Sequence, residues 1–150
     1  MTTLAHNASV PTREAVNETA VMGSWKVAIT LRNCDDGKRT GMVHAVDIFS
    51  AGGALKESGS RTAGAMKGPG HGSWRHVGGG RYDSVLRYYC FDPDGSVAEL
   101  QRVTRSLQLS ADGRRFSGTA LLEVFDSHDR LVLSQCATEV AERFKDSFGE

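Results

Sequence analysis

The chain has 150 residues, with 18 Lys and Arg balanced by 18 Asp and Glu. A chain of this length buries one core, and zero net charge without a basic stripe excludes a nucleic-acid binder, which needs cations to neutralise phosphates. No apolar run approaches the ~20 residues of a membrane-spanning helix, and the polar first residues lack the apolar centre of a signal peptide, so the cytoplasm is the expected location.

Residues 1–20 read as an arm, in which Pro11-Thr12-Arg13-Glu14 suits the first turn of a short helix. From Val21 the apolar period becomes two. Trp25, Val27, Ile29 and Leu31 alternate with Lys26, Ala28, Thr30 and Arg32, which predicts a strand with one buried face. Asp35-Asp36-Gly37 is a turn. Met42 to Phe49 is a second strand, apolar on both faces and interrupted by His44 and Asp47; Gly52-Gly53 ends it, and Ala54 to Glu57 suits a short third.

Ser58 to Gly72 is rich in Gly and reads as a long irregular loop, a common place for function. Strands follow over Gly72–Val77 and Tyr82–Phe91, separated by Gly78-Gly79-Gly80. Asp92-Pro93-Asp94-Gly95 is a strong turn signal. Val97–Leu109, Phe116–Phe125 and Leu131–Phe144 are further alternating strands, divided by turns at Ser110–Gly113 and Asp126–Asp129. The polar residues 145–150 form a tail. About eight sequential strands joined by tight turns predict an all-β, single antiparallel up-and-down barrel occupying residues 21–144.

Two features carry a family resemblance. Gly23-Ser24-Trp25, opening the first strand, resembles the Gly-x-Trp signature of lipocalins, and Arg143 near the end of the last strand resembles their barrel-closing arginine. The resemblance implies that Arg143 stacks on Trp25 and ties the first strand to the last, a cation over an indole face being worth ~1–2 kcal/mol. His71-Gly72-Ser73-Trp74, Phe91 to Gly95, Leu109 to Gly113 and Phe125-Asp126 are similar to small bacterial calycin-like proteins. Related barrels include allene oxide cyclase-like and polyketide-cyclising proteins, which implies chemistry performed on a reactive chain inside the cavity.

With Trp25 and Arg143 taken as inward, the first strand lines the interior with Val27, Ile29 and Leu31, and the last with Leu133, Gln135, Ala137, Glu139 and Ala141. Apolarity points Phe116, Gly118, Ala120, Leu122 and Val124 inward, together with Val97, Glu99, Gln101, Val103, Arg105 and Leu107. Tyr88, Glu99 and His71 are the candidate catalytic residues. A tyrosine hydroxyl can stabilise an enolate, a desolvated carboxylate is a useful acid or base, and a histidine on a loop at the mouth can cover a ligand. Trp25, His44, Trp74, Tyr82, Gln101, Leu122, Gln135 and Glu139 are the candidate substrate-binding residues. Glu139 has a second reading, a structural bridge to Arg105 or Arg143.

No metal or other cofactor is expected. The histidines lack ligand spacing, and Gly68-Pro69-Gly70-His71-Gly72 lacks the Lys-Ser/Thr ending of a phosphate loop. The three cysteines are isolated, and their odd number argues against a disulfide framework, so Cys90 and Cys136 read as buried thiols. The expected function is a cofactor-independent cyclase or isomerase that shapes a small hydrophobic intermediate of polyketide or terpenoid type. The alternatives are a non-catalytic binder or carrier of a small apolar ligand, and a dimerising module with a filled core. A homodimer through the outer face of Met42–Phe49 is a further expectation.

Overall fold

The computed structural model describes residues 17–59 and 66–146. The helix start expected at Pro11, residues 60–65 of the Gly-rich segment and the last four residues of the tail lie outside them. Nine strands follow one another: β1 Gly23–Arg32, β2 Arg39–Ser50, β3 Ala54–Gly59, β4 Met66–Lys67, β5 Gly70–Gly78, β6 Arg81–Phe91, β7 Val97–Leu109, β8 Arg115–Asp126 and β9 Leu131–Arg143. Eight of them close an antiparallel barrel, β1 pairing with both β2 and β9, and β6 with β7. The short β4 pairs with β6, continuing the line of β5 after a slip at Gly68-Pro69. The Gly-rich segment is therefore less irregular than its composition suggests: strand geometry reaches Gly59 on one side and resumes at Met66.

Strict alternation settles which face of each strand is buried. On β2, Ala45, Asp47 and Phe49 are buried, while Met42, His44, Val46 and Ile48 are exposed on the outer wall. β3 pairs with only the second half of β2, from Ala45 to Ser50, so residues 39–43 are laddered to β1 alone among the described strands. At Gly72 the walls of β5 and β6 approach so closely that a Cβ would lie 1.8 Å from the carbonyl oxygen of Val85. Only a hydrogen fits there.

The two ends of the barrel differ. One is plugged by Val21, Trp25, Phe49, Tyr82, Leu107, Leu109 and Phe116, all buried. Trp25 donates its indole N–H to the Val21 carbonyl at 2.9 Å and meets Phe116 edge to face at 4.9 Å. The Arg143 guanidinium lies 4.2 Å from the Trp25 ring centre, and the two residues are register partners across β1 and β9. Arg143 also donates to the carbonyls of Ala20, Met22 and Gly113, which ties the incoming chain and the β7–β8 turn to the same joint. The expected closure through Trp25 and Arg143 is thus present, with three backbone hydrogen bonds added to the ring contact.

The cysteines correct the sequence reading. Cys136 is disulfide-bonded to Cys34, and Cys90 remains a free buried thiol. The partners are 102 residues apart in sequence, but barrel closure places Cys136 of β9 opposite Arg32 at the end of β1, two residues before Cys34. Such a bond persists in oxidising surroundings, so the cysteines give no support to a cytoplasmic location. No helix among the described residues is long and apolar enough to cross a membrane. Replacing both Cys34 and Cys136 with serine is expected to lower stability by about 2–4 kcal/mol, because the unfolded chain regains the freedom that a cross-link between residues 102 apart takes from it. Urea melts with and without reductant check this: wild type should lose the same amount on reduction, and the variant nothing.

Candidate functional site

The interior changes character along the barrel axis. At the plugged end the inward apolar residues are buried, with Trp74 partly so. Toward the opposite end Ile29, Leu31, Val43, Val103 and Leu122 continue the inward rows but are only half-buried. A side chain that points into a barrel and still meets solvent lines an open cup. The mouth of this cup is ringed by the β1–β2, β6–β7 and β8–β9 turns, and its polar groups come from β4, β6 and β7.

Tyr88 enters the cup from β6 and Gln101 faces it as its register partner on β7. The phenol donates to Gln101 Oε1 at 2.6 Å, and Gln101 Nε2 donates to Glu99 Oε2 at 2.7 Å. The Lys67 ammonium stands 3.9 Å from the Tyr88 ring centre. Burial, followed by the nearby Glu57, Cys90 and Glu99, pushes the Tyr88 hydroxyl well above its ordinary range. Tyr88 is therefore a proton-bearing donor at neutral pH. Burial and the Glu99 charge likewise raise Cys90, which keeps its thiol neutral.

The floor of the cup is ionic. Arg105 reaches inward from β7, fully buried. Its Nη1 lies 2.7 Å from Asp47 Oδ2, 2.9 Å from Glu139 Oε1 and 3.9 Å from Glu57 Oε2, and its Nε donates to Ser84 Oγ at 2.8 Å. Lys67 Nζ is 4.0 Å from Glu57 Oε1. Two buried atoms have no partner among the described residues, Arg105 Nη2 and Asp47 Oδ1. Burial pushes Glu57 well above the usual carboxylate range, and the Asp47 charge and hydrogen bond add to it against the pull of Arg105. Burial also raises Glu139, with Arg105 opposing. Arg105 stays a cation: its three carboxylates outweigh the desolvation that would strip its proton.

The structure brings together only part of the expected site. Tyr88, Glu99 and Gln101 form one hydrogen-bonded row, Leu122 lines the cup beside them, and Glu139 joins the floor. Of the two readings of Glu139, its geometry is that of the bridge to Arg105. Gln135 lies at the rim, donating to Thr40 Oγ1 at 3.0 Å. Trp25, Trp74 and Tyr82 belong to the plugged end, below the ionic floor. Trp74 donates to the Ser50 carbonyl at 3.0 Å, Tyr82 donates to the Asn17 carbonyl, and the two rings meet edge to face.

His71 and His44 are placed elsewhere than expected. His71 sits on strand β5 between inward Gly70 and Gly72, so its side chain is exposed on the outer wall, with Lys56 and Arg87 as register neighbours. His44 is exposed between Val43 and Ala45, which take the inward phase on β2. Sequence reasoning also passed over Glu57 and Lys67. Lys67 falls in the Gly-rich segment read as loop. Glu57 gains meaning only once β3 is registered against β2, where it faces Asp47.

A separate groove of about 740 Å³ runs over the outer wall of β5 to β8. Arg75 and Asp83 pair with each other at its surface, and Arg105 of the ionic floor borders it from within. Comparison with protein-family models, with curated proteins and with solved structures finds no match for this chain.

Proposed function

We propose that this chain takes a small, mainly apolar molecule of polyketide or terpenoid type into its mouth cup and isomerises or cyclises it by proton transfer. The observation that carries the reading is the half-buried apolar row from Ile29 to Leu122 above a polar floor, with Tyr88, Gln101 and Glu99 hydrogen-bonded along one side. Apolar walls hold the body of a flexible ligand in one shape, so its entropy is lost on binding rather than at the barrier. The Tyr88 hydroxyl is a donor for a carbonyl oxygen and stabilises charge that develops there. The Glu99 carboxylate takes a proton from the carbon beside that carbonyl and returns it at another, a redox-neutral exchange.

Two measurements test this. A neutral, polarity-sensitive fluorophore should bind with one site per chain. Leu122→Trp, which fills the cup, should weaken it about tenfold, equivalent to about 1.4 kcal/mol. Leu121→Trp, on the outer wall, should leave it unchanged. Linear polyketone or β,γ-unsaturated ketone substrates should then turn over, with Tyr88→Phe and Glu99→Gln each slowing the reaction about 10²–10⁴-fold. Binding without turnover on every such substrate favours the alternative, a carrier of the same ligand class. No effect of Leu122→Trp removes the cup as the site.

A further inference from the structure

The ionic floor holds more negative charge than its cations balance evenly. Asp47 and Glu57 are direct register partners on β2 and β3, both pointing inward and both buried. Among the described residues, the charged or titratable groups around Glu57 are Asp47 on β2, Lys67 on β4, Tyr88 on β6, Arg105 on β7 and Glu139 on β9. β5 offers only the bare Gly70 at this point. Arg105 gives its close contacts to Asp47 and Glu139 and stands a full ångström farther from Glu57. Two ionised carboxylates side by side in a closed space are strongly disfavoured, and sharing one proton relieves them.

A second observation points the same way. Asp47 Oδ1 is a buried acceptor that no donor reaches, while Oδ2 of the same carboxylate is filled by Arg105. A hydrogen on Glu57 supplies the missing donor. Beside it Arg105 Nη2 is a fully buried donor with nothing to donate to. An oxygen accepting from Nη2 would lie next to the acid.

We propose that Glu57 carries a proton at neutral pH, donates it to Asp47 Oδ1 in the free protein, and is the acid that protonates a ligand carbonyl oxygen seated against Arg105 Nη2. The catalytic half of this proposal rests on the cup being the ligand site. In the step, the Glu57 O–H bond breaks and a new O–H bond forms on the ligand as its carbonyl becomes an enol, the α-proton leaving to a carboxylate base. Collapse of the enol returns the proton to Glu57, and nothing is oxidised or reduced. Burial and the Asp47 charge raise the proton affinity of Glu57 in the sense this needs.

The proton itself is measurable without ligand. Infrared spectra of protein carrying isotope-labelled glutamate carboxyls, titrated in the free state, should show one protonated glutamate persisting at neutral pH. That band should vanish in Glu57→Gln. In Asp47→Asn, where the like charge is gone while burial remains, it should titrate away at a lower pH than in the wild type. It should survive Glu139→Gln. Absence of a protonated glutamate in the wild type at neutral pH, or a band that survives Glu57→Gln, overturns the assignment. The wild-type titration needs no variant to fold. Because no ligand is present, failed fluorophore binding would remove the cup while leaving this proton standing, and an ionised Glu57 with normal binding would remove only the acid.

Discussion

Arg105→Met is expected to lose about 3–5 kcal/mol of folding stability at neutral pH, because it strands buried carboxylates without their cation. An ordinary domain has about 5–15 kcal/mol in total, so the variant should be partly unfolded. Among the described residues, Arg105 is the one cation with ion pairs to Asp47, Glu57 and Glu139 together. The carboxylates of Asp47 and Glu139 are then left without the cation that bridges them, beside a Glu57 that holds its proton still more tightly.

The loss should depend on pH, with a definite sign. Glu57 and Glu139 already bind their protons more tightly folded than unfolded, since burial raises both. A group with a raised folded pKa contributes stability that is fully present below its unfolded value and is lost as pH rises through the folded one. Without Arg105 both are driven further in that direction. Urea melts should therefore show Arg105→Met closest to wild type in the acid range where ordinary carboxylates protonate, and farthest from it above neutrality. Adding Glu139→Gln and Asp47→Asn to Arg105→Met should recover part of the loss, because neutral amides can hydrogen-bond where carboxylates repel. A pH-independent loss would show that the cluster is held by packing alone.

Trp25→Ala is the second large effect, expected at about 3–5 kcal/mol as for other buried tryptophans. The indole is fully buried, fills the plugged end against Phe116, and is the surface on which Arg143 lies. Its removal leaves a cavity and takes away the ring that orients the guanidinium, so the three backbone bonds of Arg143 lose their support. In urea the midpoint should fall by about 2 M, taking a slope of about 2 kcal/mol per molar. Leu133→Ala, 54% exposed at the rim of the same barrel, should change stability by less than about 0.5 kcal/mol. A Trp25 variant as stable as the Leu133 one would mean that closure does not depend on this joint.

Much of the wall was legible because strand physics is local. Alternation in β1, β7, β8 and β9 gave inward rows that hold at Val27, Arg105, Ala120 and Glu139, while Val97 and Leu133, expected in the same rows, are exposed. Asp35–Gly37 and Asp92–Gly95 bend where their chemistry requires; Asp94, for example, accepts from the Ser96 amide. The Trp25–Arg143 contact came through a family resemblance rather than from periodicity. What escaped was non-local. His44 and His71 are each one residue out of phase with the interior, and a period-two pattern through Gly-rich or doubly apolar sequence does not set that phase. The Asp47–Glu57 pair depends on the β2–β3 register, and Cys34 meets Cys136 only because the barrel closes. Lys67 reaches the cup from a strand of two residues in a segment whose glycines conceal it.

The half-covered length of β2 bears on how the molecule behaves in a crowded solution. Closed barrels abolish the free strand edge through which sheets recruit one another. Here residues 39–43 of β2 are laddered on one side only among the described strands. Among the described residues, that short run of backbone has strand pairing on its β1 side alone. It begins on the charge of Arg39, passes through Gly41 and stops where β3 takes over at Ala45. A run this brief, opened by a cation and interrupted by glycine, is a poor template for chain-to-chain pairing.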